Sequence, residues 1–189
     1  MTGVQTCALP ICSDGIGKAA AISMATEGAK VAIVGRTQSK LDAAIAEIKE
    51  ASNGEAIGIP TDVSVESDVQ SMVDKVISQY GQIDILVNNA GTSSATTLEK
   101  MTDEDLRVDF GIKIYGAVYC ARAVLPHLKK SDAGVIINTT TPGGKASGPG
   151  GQPTSLSRAS GISLTKAWAG EVAKFNILVN TVCITEERR

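Results

Sequence analysis

The chain is expected to fold as one α/β domain over residues 1–189, a doubly wound parallel sheet in three α/β/α layers. Three observations predict it. Short β-type runs alternate with amphipathic helical stretches. The runs are apolar enough to be buried on both faces. Glycine and polar residues follow those runs directly, at the sheet edge where open α/β folds bind ligands.

Each element has its own signal. Lys30 to Val34 is a buried strand by composition. Leu41, Ala44, Ile45 and Ile48 mark one helical face, ended by Asn53-Gly54. Ala56 to Ile59 is a short strand stopped by Pro60. Val69, Met72, Val73, Val76 and Tyr80 form the next helical stripe, closed by Gly81. Ile83 to Val87 is a strand. A long helix starts near Thr102, which caps it with Asp105 three residues on, and runs to about Pro126. Val135 to Ile137 is a strand, Ser155 to about Ala173 a helix, and Ile177 to Val182 a strand. The Gly/Pro-rich stretch 141–151 is a loop inside the domain, and the chain shows no repeat or linker.

Composition excludes several functions. A net charge of −2 leaves no basic footprint for nucleic acid or an anionic membrane. The apolar runs are too short to span a bilayer, and no signal peptide precedes them. Cys7, Cys12, Cys120 and Cys183 show neither metal-ligand spacing nor disulfide density, so a reduced cytoplasm is expected and no metal. With one histidine, His127, a histidine triad or a His-rich metal site is nearly excluded. His127 beside Pro126 reads as a solvated helix end.

Chemistry gathers at the strand ends. Ser13-Asp14-Gly15-Ile16-Gly17 precedes an alanine-rich helix. Glycines there let backbone N–H groups approach a pyrophosphate at the helix N-terminus, although a helix-start turn looks the same. About 20 residues on, where such folds read the adenosine ribose, stand Arg36 and Thr37. An arginine there suits a 2′-phosphate, or is a solvated surface residue. Asp62-Val63 follow the third strand, and Asn88-Asn89-Ala90-Gly91 the fourth.

These motifs, with Gly134-Val135-Ile136-Ile137-Asn138 and the strand 176–182, resemble the short-chain dehydrogenases/reductases over about residues 13–184. The resemblance implies a Rossmann-type domain binding NAD(P)(H). It implies Ser13, Gly15, Ile16 and Gly17 at the phosphates and Asp62 and Val63 near the adenine. It implies Asn89, Ala90 and Gly91 beside the cofactor, and NADP(H) preferred over NAD(H) through Arg36 and Thr37. Asp14 departs from that preference, because NADP-preferring members often carry a basic residue there. Dimers or tetramers through the two long helices are also implied.

Both ends depart from the family. A strand ending in Thr-Gly belongs near Pro10 and Ile11, where the chain reads VQTCALPI. That peptide is similar to the translation of a common sequencing adaptor, and EERR at the other end to that of the paired adaptor. The family sequence is expected to run from about Cys12 to Ile184, with the sheet incomplete at both ends. VQTCALPI is apolar enough to imitate the first strand.

The family's reaction is hydride transfer between the nicotinamide and a carbonyl or alcohol carbon. Members use a serine, a tyrosine 13 residues on and a lysine four further, with an asparagine on the preceding helix. Anchoring on Asn138 and Ile162–Lys166 puts Thr141, Thr154 and Arg158 at the first three positions. Anchoring on Gly116 puts Lys113 at the fourth. Thr141 keeps a hydroxyl for the substrate oxygen, and Arg158 keeps a cation for the ribose. Thr154 is a severe change, because an aliphatic hydroxyl is far too weak an acid near neutrality. Lys113 is either a replacement acid, its pKa lowered beside Arg158, or an exposed helix lysine. Ser155 and Ser157 add hydroxyls nearby. Trp168, and Tyr115 with Tyr119, read as packing residues, and Lys145 as surface.

Two functions follow. The first is an NADP(H)-dependent oxidoreductase on a small carbonyl or alcohol, with an atypical acid/base site. The second is a non-catalytic dinucleotide-binding protein, a sensor or partner subunit. An inactive fragment of either is the third reading.

Overall fold

The computed structural model describes residues 6–9 and 15–185, with side chains described from residue 15 onward. Ser13 therefore lies outside the described residues. Six strands form one parallel sheet in the order β3-β2-β1-β4-β5-β6. They are β1 (Thr6–Leu9), β2 (Lys30–Gly35), β3 (Ala56–Pro60), β4 (Ile85–Asn88), β5 (Val135–Thr140) and β6 (Leu178–Cys183). The helices are α1 (Gly15–Thr26), α2 (Gln38–Ser52), α3 (Glu66–Tyr80), α4 (Asp103–Phe110), α5 (Gly116–Leu128) and α6 (Thr154–Val172). Within VQTCALPI, Thr6–Leu9 do supply a first strand: Ala8 pairs with Ala32 on one side and Leu86 on the other. The order reverses at β1, which opens the crevice between the β1 and β4 ends.

Two apolar layers sandwich the sheet. Ala21, Ala25, Leu41, Ala44 and Ile48 of α1 and α2 pack on Val31, Ile33 and Val87. Val69, Met72, Val76, Cys120, Val124 and Leu128 of α3 and α5 pack on Ala32, Val34, Leu86 and Ile136. Every residue from Val31 to Val34 is buried, as expected of a strand covered on both faces. In β6 the expectation of burial on both faces fails. Val179 is 8% exposed, whereas its neighbour Leu178 is 60% exposed and Val182 49%. α6 covers one face there, while the cluster under α1 and α2 reaches only as far as Ile137 of β5.

Local chemistry sets the boundaries. Asn53 and Gly81 end α2 and α3 in the left-handed conformation, φ 53° and 81°. Thr102 opens α4 with the expected capping box: its Oγ1 accepts from the Asp105 N–H at 3.1 Å, and the Asp105 carboxylate accepts from the Thr102 N–H at 2.9 Å. The Thr102 N–H and, at 2.7 Å, the Thr102 hydroxyl both donate to Asp105 Oδ2 and hold that carboxyl below its ordinary pKa. The expected single helix from Thr102 to Pro126 is instead two helices joined by a π turn, Gly111–Tyr115, and it continues through Pro126 to Leu128. Gly111 N–H is shared between the Arg107 and Val108 carbonyls, and Gly116 N–H reaches Gly111 O. β4 begins at Ile85 rather than Ile83; just before it, the Asp84 carboxylate accepts from the Ser131 hydroxyl at 2.6 Å and the Asp84 carbonyl from the Val135 N–H at 2.8 Å.

The packing carries a test. Leu86 is fully buried on central β4, so Leu86→Ala should lower the unfolding free energy by about 3 kcal/mol. Leu98 is 78% exposed, and Leu98→Ala should change it by less than about 0.5 kcal/mol. Urea denaturation of both variants checks the pair.

Candidate functional site

The carboxyl ends of β2, β3 and β4 deliver the residues singled out in the sequence to one cleft of about 500 Å³. Arg36 and Thr37 line it from the end of β2, Asp62 and Val63 from the end of β3, and Ala90 and Gly91 from the end of β4. Lys40, Ser64 and Arg107 line it too, and sequence reading did not single them out. Ser64 donates its hydroxyl to Asp62 Oδ1 at 2.6 Å and its N–H to the same oxygen at 3.0 Å. The hydroxyl bond leads in holding the Asp62 carboxyl below its ordinary pKa, and the Arg36 charge adds to it. Asp62 is thus kept an acceptor.

The remaining expected cofactor residues sit around this cleft rather than in its wall. Gly15, at φ 60°, opens α1 where only open space would meet a Cβ. Ile16 beside it is 54% exposed and Gly17 is buried. Asn89 is half-buried, with its N–H on the Val87 carbonyl at 3.1 Å.

Val63, Ala90 and Ile112 also line a second, smaller recess beside the cleft, of about 20 Å³, the space of one water molecule. Lys113, Ser157 and Arg158 line the recess with Asn88, Asn138 and Thr139. Three of the four expected catalytic positions meet here. Lys113 Nζ donates to Asp109 Oδ2 and, at 3.3 Å, to Thr154 Oγ1. Arg158 Nη1 donates to the Thr139 carbonyl at 2.8 Å. The fourth, Thr141, starts the short turn 142–144 after β5, half-buried, and joins none of these side-chain bonds.

Lys113 is not an exposed helix lysine. Its side chain is 3% exposed and pairs with a fully buried carboxylate, Asp109. Burial pulls the Lys113 pKa down, the Asp109 carboxylate pushes back, and the Arg158 charge lowers it again. Burial likewise pulls the Arg158 pKa below its ordinary value, against Asp109. Asp109 is the residue that sequence reading missed. Its carboxylate accepts from Lys113, from Thr154 Oγ1 at 3.1 Å and from the Ser157 hydroxyl. The available signal was an opposite-charge pair four apart, entering an otherwise apolar helical stretch.

Thr154 is fully engaged. Its hydroxyl oxygen accepts from Lys113 Nζ and, at 3.0 Å, from the Ser94 N–H. Its single proton points to Asp109, because an ionised carboxylate only accepts.

The residues present fit a dinucleotide. Gly91 lies where a Cβ would meet Arg158 Nη2 at 3.1 Å and Lys113 Cε at 3.2 Å, so backbone closes on both cations there. Arg158 Nε and Asn88 Oδ1 are buried with no hydrogen-bond partner. Buried polar atoms without a partner are costly, and here they mark the inner end of the cleft. Among the described residues no His/Cys/Asp/Glu cluster could hold a metal, and no helix is long and apolar enough to cross a membrane. Trp168 packs against the core, Tyr115 and Tyr119 stack 6.1 Å apart, and Lys145 is exposed. His127 is partly buried, which pulls its pKa down.

The lowered Lys113 pKa fixes the sign of a pH effect. Between that lowered value and the ordinary 10.5, the unfolded chain binds the proton and the folded chain does not. Stability from this group therefore rises as pH rises through that window. The difference in urea-unfolding free energy between wild type and Lys113→Met, taken at intervals from about pH 7.5 to 10, should show the rise. The buried Cys120 thiol, whose raised pKa acts in the opposite sense, is common to both and cancels.

Comparison with known proteins agrees with this architecture. The family model for short chain dehydrogenases matches residues 11–186. A 3-oxoacyl-[acyl-carrier-protein] reductase of Synechocystis sp. is 35% identical over 171 residues, 90% of this chain and 69% of the relative. The enzyme of the same name from Thermotoga maritima is 33% identical over 178 residues, 94% of this chain and 72% of the relative. Among solved structures, NAD+-bound xylitol dehydrogenase superposes with TM-score 0.90 at 29% identity, covering 95% of this chain and 69% of that one. Levodione reductase superposes with TM-score 0.91 at 25% identity, covering 95% and 70%. With its sheet order, strand-end cleft and inner lysine–arginine recess, the chain belongs to the short-chain dehydrogenase/reductase family of oxidoreductases.

Proposed function

We propose that the protein is an NADP(H)-dependent oxidoreductase, with NAD(H) as the weaker cofactor, that interconverts a small carbonyl and its alcohol. The observation that carries this reading is the adjacency of the two spaces: the cleft with Arg36 and Asp62 and the recess with Lys113 and Arg158 share Val63, Ala90 and Ile112 in their walls. In this reading Gly15, Ile16, Gly17 and Ser13 hold the phosphates. Asp62 and Val63 border the adenine, and Asn89, Ala90 and Gly91 border the inner ribose. Arg36, with Thr37 beside it, takes the 2′-phosphate, and Arg158 grips ribose hydroxyls with its outward guanidinium edge. The protein acts in the cytoplasm as a homodimer or homotetramer.

A bound reduced nicotinamide supplies the hydride. This chain's residues handle the oxygen. Thr141 donates a hydrogen bond to the substrate carbonyl oxygen. Lys113, as the ammonium, gives up the proton through the recess, which admits one water and no carbon skeleton. The C=O π bond is replaced by one C–H and one O–H bond, Lys113 becomes the amine, and solvent reprotonates it. Thr154 supports Lys113 as an acceptor while its own proton stays on Asp109.

A second reading is favoured by one feature, the saturation of the Thr154 hydroxyl. In it the chain binds the dinucleotide without turnover, as a sensor or partner subunit. Fluorescence titration with NADPH and NADH, followed by a carbonyl panel monitored by NADPH consumption, separates the two. The oxidoreductase reading expects turnover, and Lys113→Met should cut it by at least about 100-fold, the lower range for a general acid, while NADPH still binds. Arg36→Ala should weaken NADPH by at least about tenfold and leave NADH nearly unchanged. NADPH binding with no consumption across the panel would favour the second reading, and unchanged turnover in Lys113→Met would remove that lysine's role.

A further inference from the structure

We propose that Asp109 is a positioning residue that sets both the place and the charge of Lys113. This rests on the reading of Lys113 as the proton donor. Asp109 has no solvent exposure, and it sits at the end of α4, four residues before Lys113. A carboxylate in that position must be hydrogen-bonded to be stable as an ion. Its two oxygens take the Lys113 ammonium, the Thr154 hydroxyl at 3.1 Å and the Ser157 hydroxyl.

The direction of those bonds matters more than their number. Asp109 accepts every one, so the Thr154 and Ser157 protons both point at it and away from the recess. Asp109 and Thr154 occupy two of the three Nζ–H donors of Lys113. Of Lys113, Thr154 and Ser157, only Lys113 keeps a donor for a group entering the recess. Arg158, which also lines it and has an unpartnered Nε–H, is a permanent cation that releases no proton. The carboxylate thereby makes one group, the lysine, the proton source. The π turn Gly111–Tyr115 contributes by widening the helix at the pair, a feature common at functional sites. The charged groups facing Lys113 among the described residues are Asp109 on α4 and Arg158 on α6, one of each sign. With Asp109 neutralised, only the repelling guanidinium remains.

The test is Asp109→Asn in the full chain, isosteric and uncharged. Lysine labelled with ¹³C at Cε gives a Lys113 signal, identified by its loss in Lys113→Met. Its titration midpoint in Asp109→Asn should fall by at least about one pH unit, the lower end of what an opposite charge at hydrogen-bond distance contributes. Asp109→Glu, which keeps the charge, should return it towards wild type. The alkaline limb of turnover should move down with the midpoint while NADPH affinity holds. A Lys113 midpoint within about 0.3 units of wild type in folded Asp109→Asn overturns the proposal. Should that variant not fold, the wild type decides. A paired, buried ammonium gives a slowly exchanging ¹⁵Nζ signal below its midpoint, and absence of that signal overturns the pairing. The titration needs no turnover. A shifted midpoint in a protein that consumes no NADPH leaves the Asp109 pairing standing and removes the oxidoreductase reading instead.

Discussion

A carboxylate with no access to water constrains the side chains around the inner recess of this protein. Asp109 has no exposure, so its charge has to be met by donors from whatever packs against it. Those donors come from the π turn, through Lys113, and from the first turn of α6, through Thr154 and Ser157. Thr154 carries the connection one step further, to the backbone of Ser94 in the loop after β4. A single buried charge therefore ties together α4, the π turn, α6 and a strand-end loop.

The two ends of the cleft work by different physics. At the outer end, polar side chains stay partly solvated, and a ligand is recognised by complementary charge and hydrogen-bond direction. Asp62, locked by Ser64, is held as an acceptor, and Arg36 is a permanent donor. At the inner end water is scarce, so the same charges act more strongly and must be balanced locally. Lys113, Arg158 and Asp109 leave one excess positive charge there. An enclosed excess positive charge favours negative charge developing on an oxygen nearby.

Four substituted positions do not amount to four losses. Arg158 keeps a cation against the strand ends, with its Nη1 on the Thr139 carbonyl. Thr141 keeps a hydroxyl. The exchange that costs most is at residue 154, where an aliphatic hydroxyl cannot release a proton near neutrality. In the structure Thr154 instead accepts from Lys113 Nζ at 3.3 Å and donates to Asp109 at 3.1 Å, so a titratable lysine, 41 residues away along the chain, stands beside that hydroxyl.

Strand and helix positions from β2 onward were readable from periodicity and turn residues, because burial on one or two faces leaves a period that local sequence records. Asn53, Gly81 and the Thr102–Asp105 cap were readable for the same reason: each bond spans four residues or fewer. The cleft residues were readable because strand ends in a parallel sheet converge, so Arg36, Asp62 and Gly91 meet whatever their separation. The bare face of β6 was not readable, since it depends on where α1 and α2 settle. The π turn was not readable either, because it rests on packing rather than propensity. Asp109 is the clearest case. As a residue it is an ordinary polar position on a short helix with acidic neighbours. Only the tertiary structure removes it from water and brings Thr154 and Ser157, 45 and 48 residues away, to its oxygens. Local sequence determines which chemistry each segment offers. Whether a charged group meets water or a partner is decided by folding, because desolvation belongs to the packed whole and not to any segment of it.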